Sequence, residues 1–178
     1  DYYTEYTSGK DITVNGITFK AGDYTAVLGD ATAADFNYHN TLNEKEEKII
    51  IFMDTEGNYV GTNGSNTNIQ GDIVIMSRYS NKKANIKPGK YFKLSAQTEG
   101  VASFTLLNLN IDFPAASEGS YMFTNSGAAA DTKALIFKGC SINIEKQRFY
   151  QAHGERLNYI IKNIIFENNV YRTTYNNS

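Results

Sequence analysis

The sequence predicts an all-β chain, wound as a right-handed, single-stranded parallel β-helix of about five to seven coils. Two observations predict the β class: 13 Tyr, 10 Phe and many β-branched residues favour strands, and 14 Gly with frequent Asn favour tight turns. A third observation, a repeated pattern with a Gly or Asn at one position, predicts the winding. A β-sandwich is the alternative, because its strands have the same composition.

The chain has 178 residues, which suits a single domain spanning 1–178, or a fragment of a longer secreted protein. Residues 1–11 are polar and Tyr-rich, and we interpret them as a lead-in or a cap. Residues 12–28 alternate in polarity around Asn15-Gly16, whereas 29–47 are predicted to form a loop, with or without one helical turn. Strands are further predicted at 48–53, 71–77 and 90–94.

Four segments, beginning at Ile12, Phe104, Leu135 and Tyr159, share one template: apolar, any, apolar, any, Gly or Asn, apolar, any, apolar. The Gly or Asn positions are Gly16, Asn108, Gly139 and Asn163. These residue types adopt left-handed backbone conformations at the lowest cost, so each is predicted to form a corner between two short strands. A corner would let the apolar residues on both of its sides face one core.

The spacing of the predicted corners supports this interpretation. Successive corners are separated by 92, 31 and 24 residues, and the longest interval equals four steps of 23, within the range of about 20–29 residues for such repeats. The first segment also fits a plain Asn-Gly hairpin, and no corner is found in register between 29 and 100.

Two stretches resemble a known group of proteins. LIFKGCSINIEKQRFYQAHG (135–154) and YIIKNIIFENNVYRTT (159–174) are similar to uncharacterised pectate-lyase-like β-helix domains of secreted, Bacteroides-type surface proteins. DIVIMSRYSNKKANIKPGKYFKL (72–94) resembles an entry coil of the same group. The resemblance covers about 70–172 and implies a secreted or surface-anchored setting with saccharides as ligands. It carries over no catalytic residues.

The densest polar segment, 145–156, is the predicted ligand-binding surface. Arg148 and Tyr150 alternate along a predicted strand, so they share one face, and His153 follows closely. A guanidinium beside an aromatic ring suits a sugar-binding groove, whereas a solvated outer face is the alternative. The predicted ligand-binding residues are Lys146, Arg148, Tyr150, His153 and Arg156.

No catalytic or metal-binding residues are predicted. A lyase of this fold would need clustered carboxylates for calcium. The candidate carboxylates form no close set in the sequence, although calcium stays open as a cofactor; they are Asp54, Glu56, Asp72, Asp112 and Glu118.

Composition excludes several classes of protein. A net charge of -2 and a pI near 5.7 argue against nucleic acid as a partner, and no apolar run is long enough to predict a membrane span. A single cysteine excludes an internal disulfide. Cys140 takes the apolar position after a corner, so we expect a buried thiol rather than a nucleophile.

The leading functional hypothesis is a non-catalytic extracellular or surface module that binds polysaccharide or is displayed near it. The alternatives are a polysaccharide lyase or glycoside hydrolase domain that acts on the outer β-face, and a structural stalk or adhesin. Since an open end of a β-helix leaves strand edges unpaired, a further domain or a second copy is expected to cap the C-terminal coil.

Overall fold

The computed structural model describes residues 1–29, 48–54, 58–60, 67–69, 72–87, 92–94, 103–112, 121–125, 134–144, 148–152 and 163–173. These residues form a short helix, α1 (Tyr2–Thr7), and seventeen strands, most of which pair in parallel. The predicted all-β class is therefore confirmed.

The strands form a hairpin and three parallel sheets. The antiparallel hairpin consists of β1 (Ile12–Val14) and β2 (Ile17–Phe19). The six-stranded sheet contains, in chain order, β3 (Thr25–Gly29), β4 (Lys48–Met53), β7 (Asp72–Ser77), β10 (Ser103–Leu107), β13 (Ala134–Lys138) and β16 (Ile164–Glu167). The five-stranded sheet contains β5 (Asn58–Val60), β8 (Ala84–Lys87), β11 (Leu109–Asp112), β14 (Ser141–Ile144) and β17 (Val170–Thr173). The four-stranded sheet contains β6 (Thr67–Ile69), β9 (Phe92–Leu94), β12 (Tyr121–Asn125) and β15 (Arg148–Ala152).

Successive strands are distributed among the three sheets in a repeating order. From β4 onward, consecutive strands enter the six-, five- and four-stranded sheets in turn, and from β7 onward each pairs with its counterpart from the preceding segment. A β-sandwich would use antiparallel pairing. Among the described residues, antiparallel pairing occurs only in the β1–β2 hairpin and in one isolated bridge, between Tyr79 and Lys82.

The six-stranded sheet is buried on both faces at its centre. One face contributes Ile49, Ile51 and Ile73 to the larger core cluster, whereas the alternate residues Ile50 and Phe52 join a second cluster with residues of α1 and the hairpin. A strand covered on both faces needs no polar alternation. This double burial explains the unbroken runs KIIIFM and DIVIMS, and the predicted strands at 48–53 and 71–77 are confirmed as β4 and β7.

The helix α1 was not predicted. Asp1 caps it by accepting hydrogen bonds from the Thr4 backbone N–H at 3.1 Å and the Thr4 hydroxyl at 2.9 Å. Tyr6 is buried, and its hydroxyl donates to the Lys20 and Tyr24 carbonyls. Residues 1–11, predicted as a lead-in or cap, thus cover an outer sheet face through α1, and most of the predicted 29–47 loop lies outside the described residues.

Arg78, directly after β7, fastens α1 to the sheet. Its guanidinium donates to the Asp1 carboxylate at 2.8 Å and to the Asp54 carboxylate at 3.3 Å. The same guanidinium lies 5.8 Å from the centre of the Tyr3 ring, within cation–π range.

Among the described residues, three with positive φ separate a strand of the six-stranded sheet from the following strand of the five-stranded sheet: Asn108 (φ 52°), Gly139 (φ 65°) and Asn168 (φ 55°). The pairing of Lys138 with Glu167 makes Asn168 the counterpart of Gly139. Asn163 instead precedes β16, where its carbonyl accepts from the Leu135 N–H at 2.9 Å.

The prediction of a corner at Asn163 is therefore wrong by five residues, because the strand that pairs with β13 begins at Ile164. The match of YIIKNIIF to the template was local, whereas the hydrogen-bonded register aligns IIFENNVY with LIFKGCSI. Any substitution that tests this corner belongs at Asn168.

Gly16 is likewise not a corner between parallel strands. Asn15 and Gly16 have φ values of 48° and 83° and connect Val14 to its antiparallel partner Ile17, as in a two-residue type I′ hairpin. The hairpin alternative is thus the correct one. Its tip packs on the Gly139 corner, where the Asn15 side-chain amide donates to the Lys138 carbonyl at 3.1 Å.

Side chains next to the corners satisfy the backbone there. The Asn169 amide accepts from the Cys140 N–H at 2.9 Å and donates to the Phe137 carbonyl at 3.0 Å. Cys140 is buried, as predicted, and burial raises the pKa of its thiol to about 11. A protonated thiol in the core is a packing group rather than a nucleophile.

Candidate ligand-binding face

The outer face of the five-stranded sheet carries two rows of polar side chains. In β8, β11 and β14 the residues Ile86, Ile111 and Ile142 are buried in the larger core cluster. Since successive side chains of a strand point to opposite faces, their polar neighbours point outward. We call these neighbours the polar face; its first row is Asn85, Asn110 and Ser141, and its second row is Lys87, Asp112 and Asn143.

The first row consists of two side-chain amides, those of Asn85 and Asn110, followed by the hydroxyl of Ser141. Asn110 pairs with Asn85 on β8 and with Ser141 on β14. The Asn110 side-chain N–H donates to the Asn85 side-chain carbonyl at 2.8 Å. This single bond fixes the orientation of both amides and uses only part of their hydrogen-bonding capacity.

The second row combines one cation, one anion and one amide. The Asn143 side-chain N–H donates to one oxygen of the Asp112 carboxylate at 2.8 Å. The other oxygen lies 3.7 Å from the Lys87 ammonium, and the side chains of Lys87 and Asp112 are about half exposed, at 49% and 45%. The row is thus held in place by its own contacts while its polar atoms stay accessible.

The spacing of the polar face follows from the sheet. Neighbouring strands lie roughly 4.8 Å apart, and residues two apart in one strand are separated by roughly 6.6 Å. The backbone register pairs Asn85 with Asn58 and Lys87 with Val60 on β5, and it pairs Ser141 with Val170 and Asn143 with Arg172 on β17. Such a grid of donors and acceptors on a sheet can bind an extended ligand rich in hydroxyl groups.

The two predicted ligand-binding residues that the structure describes belong to a different sheet. Arg148 and Tyr150 lie in β15 at the edge of the four-stranded sheet, in register with Tyr121 and Phe123 of β12. The remaining three, Lys146, His153 and Arg156, lie outside the described residues. Neither of the two described residues, Arg148 and Tyr150, therefore lies on the five-stranded sheet.

The polar face was not predicted from the sequence. Its local signal is the pattern ANIK in β8, LNID in β11 and SINI in β14, in which a buried Ile stands beside Asn or Ser. Only the register of the three strands shows that these polar residues lie side by side on one face.

Two candidate carboxylates outside the polar face make structural contacts. Asp54 pairs with Arg78, and the Asp72 carboxylate accepts from the Ser103 N–H at 3.1 Å. Glu56 and Glu118 lie outside the described residues. Within the described ranges, no three His, Cys, Asp or Glu side chains come close enough together to hold a metal ion.

In the same part of the chain, no helix combines the length and apolar character needed to cross a membrane. Comparison with protein-family models, curated proteins and solved structures found no match to this chain.

Proposed function

We propose that this chain is a right-handed parallel β-helix module that binds polysaccharide on its polar face without catalysis. The repeating entry of consecutive strands into three parallel sheets supports the coiled winding. The resemblance to pectate-lyase-like domains supports a secreted or cell-surface setting with saccharide ligands.

The observation that carries the binding proposal is the pair of ordered rows on the polar face. Sugar hydroxyls both donate and accept hydrogen bonds, and so do the amides of Asn85, Asn110 and Asn143. Because Asn110 is already oriented by Asn85, little side-chain entropy is lost when a ligand binds. A flat polar grid of this kind suits a chain of repeating sugars better than a single small molecule, which needs a concave site.

The test measures binding of soluble polysaccharides by affinity electrophoresis and calorimetry. We expect the double substitution Asn85→Ala/Asn110→Ala to weaken binding by about tenfold or more, because each lost hydrogen bond contributes roughly 0.5–1.5 kcal/mol. The matched control is Thr13→Ala/Thr18→Ala, which removes another exposed cross-strand pair, 2.9 Å apart, on the hairpin. This control should leave binding unchanged.

Product analysis of the same mixtures separates the alternatives. New reducing or unsaturated chain ends would contradict the non-catalytic proposal and favour a polysaccharide lyase or glycoside hydrolase. Absence of binding to every polysaccharide would instead favour a stalk or adhesin.

We also propose that a second copy covers the end of the sheets formed by β16 and β17, a further domain being the alternative occupant. Both strands are at sheet edges, and Ile164, Val170 and Tyr171 are exposed by 48%, 52% and 52%. Unpaired strand edges with exposed apolar side chains favour association with another chain.

Light scattering should therefore show a concentration-dependent dimer that Val170→Lys shifts toward monomer. Thr13→Lys, on the exposed face of the hairpin, is the control and should not shift it. A monomer at every concentration would exclude the second copy and leave the further domain.

A further inference from the structure

We propose that the polar face selects uncharged polysaccharides and rejects polyuronates, an inference that rests on the proposed function. The juxtaposition that carries it is Lys87, Asp112 and Asn143 in one row beside two neutral amides. It departs from the ligand class that a pectate-lyase-like chain suggests, because pectate is a polyuronate.

The described side chains of the polar face offer a sugar carboxylate little unpaired positive charge. Binding of a sugar carboxylate is favoured by an unpaired Arg or Lys that supplies charge-assisted hydrogen bonds. Among the described side chains of the polar face, Lys87 alone is cationic, and Asp112 lies 3.7 Å from its ammonium. A uronate would have to compete with Asp112 for this ammonium.

The exposed Asp112 carboxylate would repel the carboxylates of a polyuronate. Asp112 lies on β11, the middle strand of the three that form the polar face, and its side chain is 45% exposed. Any polyuronate lying along the rows would bring carboxylates close to this anion. Like charges about 4–7 Å apart repel even at a solvated surface, whereas hydroxyl groups can donate to the same carboxylate.

The neutral amides of Asn85 and Asn110 have hydrogen-bonding groups that their mutual contact does not use. Asn85 accepts one hydrogen bond through its carbonyl, and Asn110 donates one through its amide. Within the described contacts, the Asn85 N–H₂ and the Asn110 carbonyl remain available to a ligand. These groups match sugar hydroxyls and add no net charge. The backbone register pairs Asn143 with Arg172 on the strand β17, so Arg172→Ala is among the variants tested.

The experiment compares the neutral probes galactomannan and hydroxyethylcellulose with polygalacturonate, at about 50 mM and about 500 mM NaCl. We expect at least one neutral probe to bind with an affinity that changes by less than about twofold between the two salt concentrations. At the lower salt concentration, polygalacturonate should bind at least about tenfold more weakly than that neutral probe.

Asp112→Asn tests the cause of the selectivity. It removes the repelling anion and frees Lys87, so we expect the affinity for polygalacturonate to rise by about tenfold at low salt, whereas neutral binding should weaken by no more than the few-fold that one altered hydrogen-bond acceptor accounts for. The matched control is Asp11→Asn, which breaks an exposed ion pair with Lys20, 2.9 Å long, on the hairpin. This control should leave both affinities unchanged.

The outcomes separate this inference from the proposed function. Tight, salt-sensitive binding of polygalacturonate that is weakened by Lys87→Ala or Arg172→Ala would overturn the selectivity and leave polysaccharide binding intact. Failure of all three probes to bind would overturn both. Neutral binding that Asn85→Ala/Asn110→Ala does not weaken would overturn the assignment of the polar face.

Discussion

Phe52→Ala is expected to lower the free energy of unfolding by about 3–5 kcal/mol. Phe52 is fully buried on the outer side of β4, where its ring centre lies 5.7 Å from that of Tyr3 and 6.2 Å from that of Tyr6. The substitution leaves a cavity and also removes the aromatic contacts that hold α1 on the sheet. Equilibrium unfolding in urea, followed by circular dichroism and tyrosine fluorescence, measures the loss.

Phe52→Leu is the matched control, since it keeps an apolar side chain and should cost less than about 1.5 kcal/mol. Limited proteolysis adds a local readout, because Phe52→Ala should make the chain near α1 more susceptible to cleavage. A loss below about 1 kcal/mol for Phe52→Ala would mean that α1 does not depend on this face of the sheet.

Gly139→Val is expected to lower the free energy of unfolding by about 2–3 kcal/mol. The φ of 65° at Gly139 strains a β-branched residue by roughly 1–2 kcal/mol. A Cβ atom at this position would lie 2.6 Å from the Asn15 side-chain amide nitrogen, so Asn15 must move and release the Lys138 carbonyl. The lost hydrogen bond adds roughly 1 kcal/mol.

Asn168→Gly is the control for Gly139→Val, because glycine adopts the positive φ of the equivalent corner without strain. We expect it to change stability by less than about 0.5 kcal/mol in the same urea titration. If Gly139→Val were as stable as the unsubstituted protein, the corner would not be a constraint on the fold.

The elements that the sequence predicted correctly are those whose cause is local. A run such as KIIIFM can hardly avoid burial, so β4 was predicted from its own residues. The positive φ values at Asn108 and Gly139 follow in the same way from residue type and the alternation around them.

The elements that the sequence did not predict depend on distant contacts. An isolated six-residue helix is unstable in water, so α1 owes its existence to Tyr6 and the sheet beneath it. The pattern alone placed the corner at Asn163, because the apolar Ile164 follows it as the template requires, whereas Asn169 follows Asn168. Only the pairing with β13 identifies Asn168 as the corner. The polar face likewise needed the register of three strands.

The contact between Asn15 and the Lys138 carbonyl joins residues 123 positions apart in the chain. The strand that the hairpin tip contacts, β13, is thus synthesised long after the hairpin itself. Contacts of such large sequence separation form late, since the intervening chain must first be ordered. On a ribosome, Ile12, Val14 and Phe19 can be covered once β4, β7 and β10 have been synthesised, because those strands supply the rest of their core cluster, whereas the hairpin tip completes its contact only after β13 has emerged.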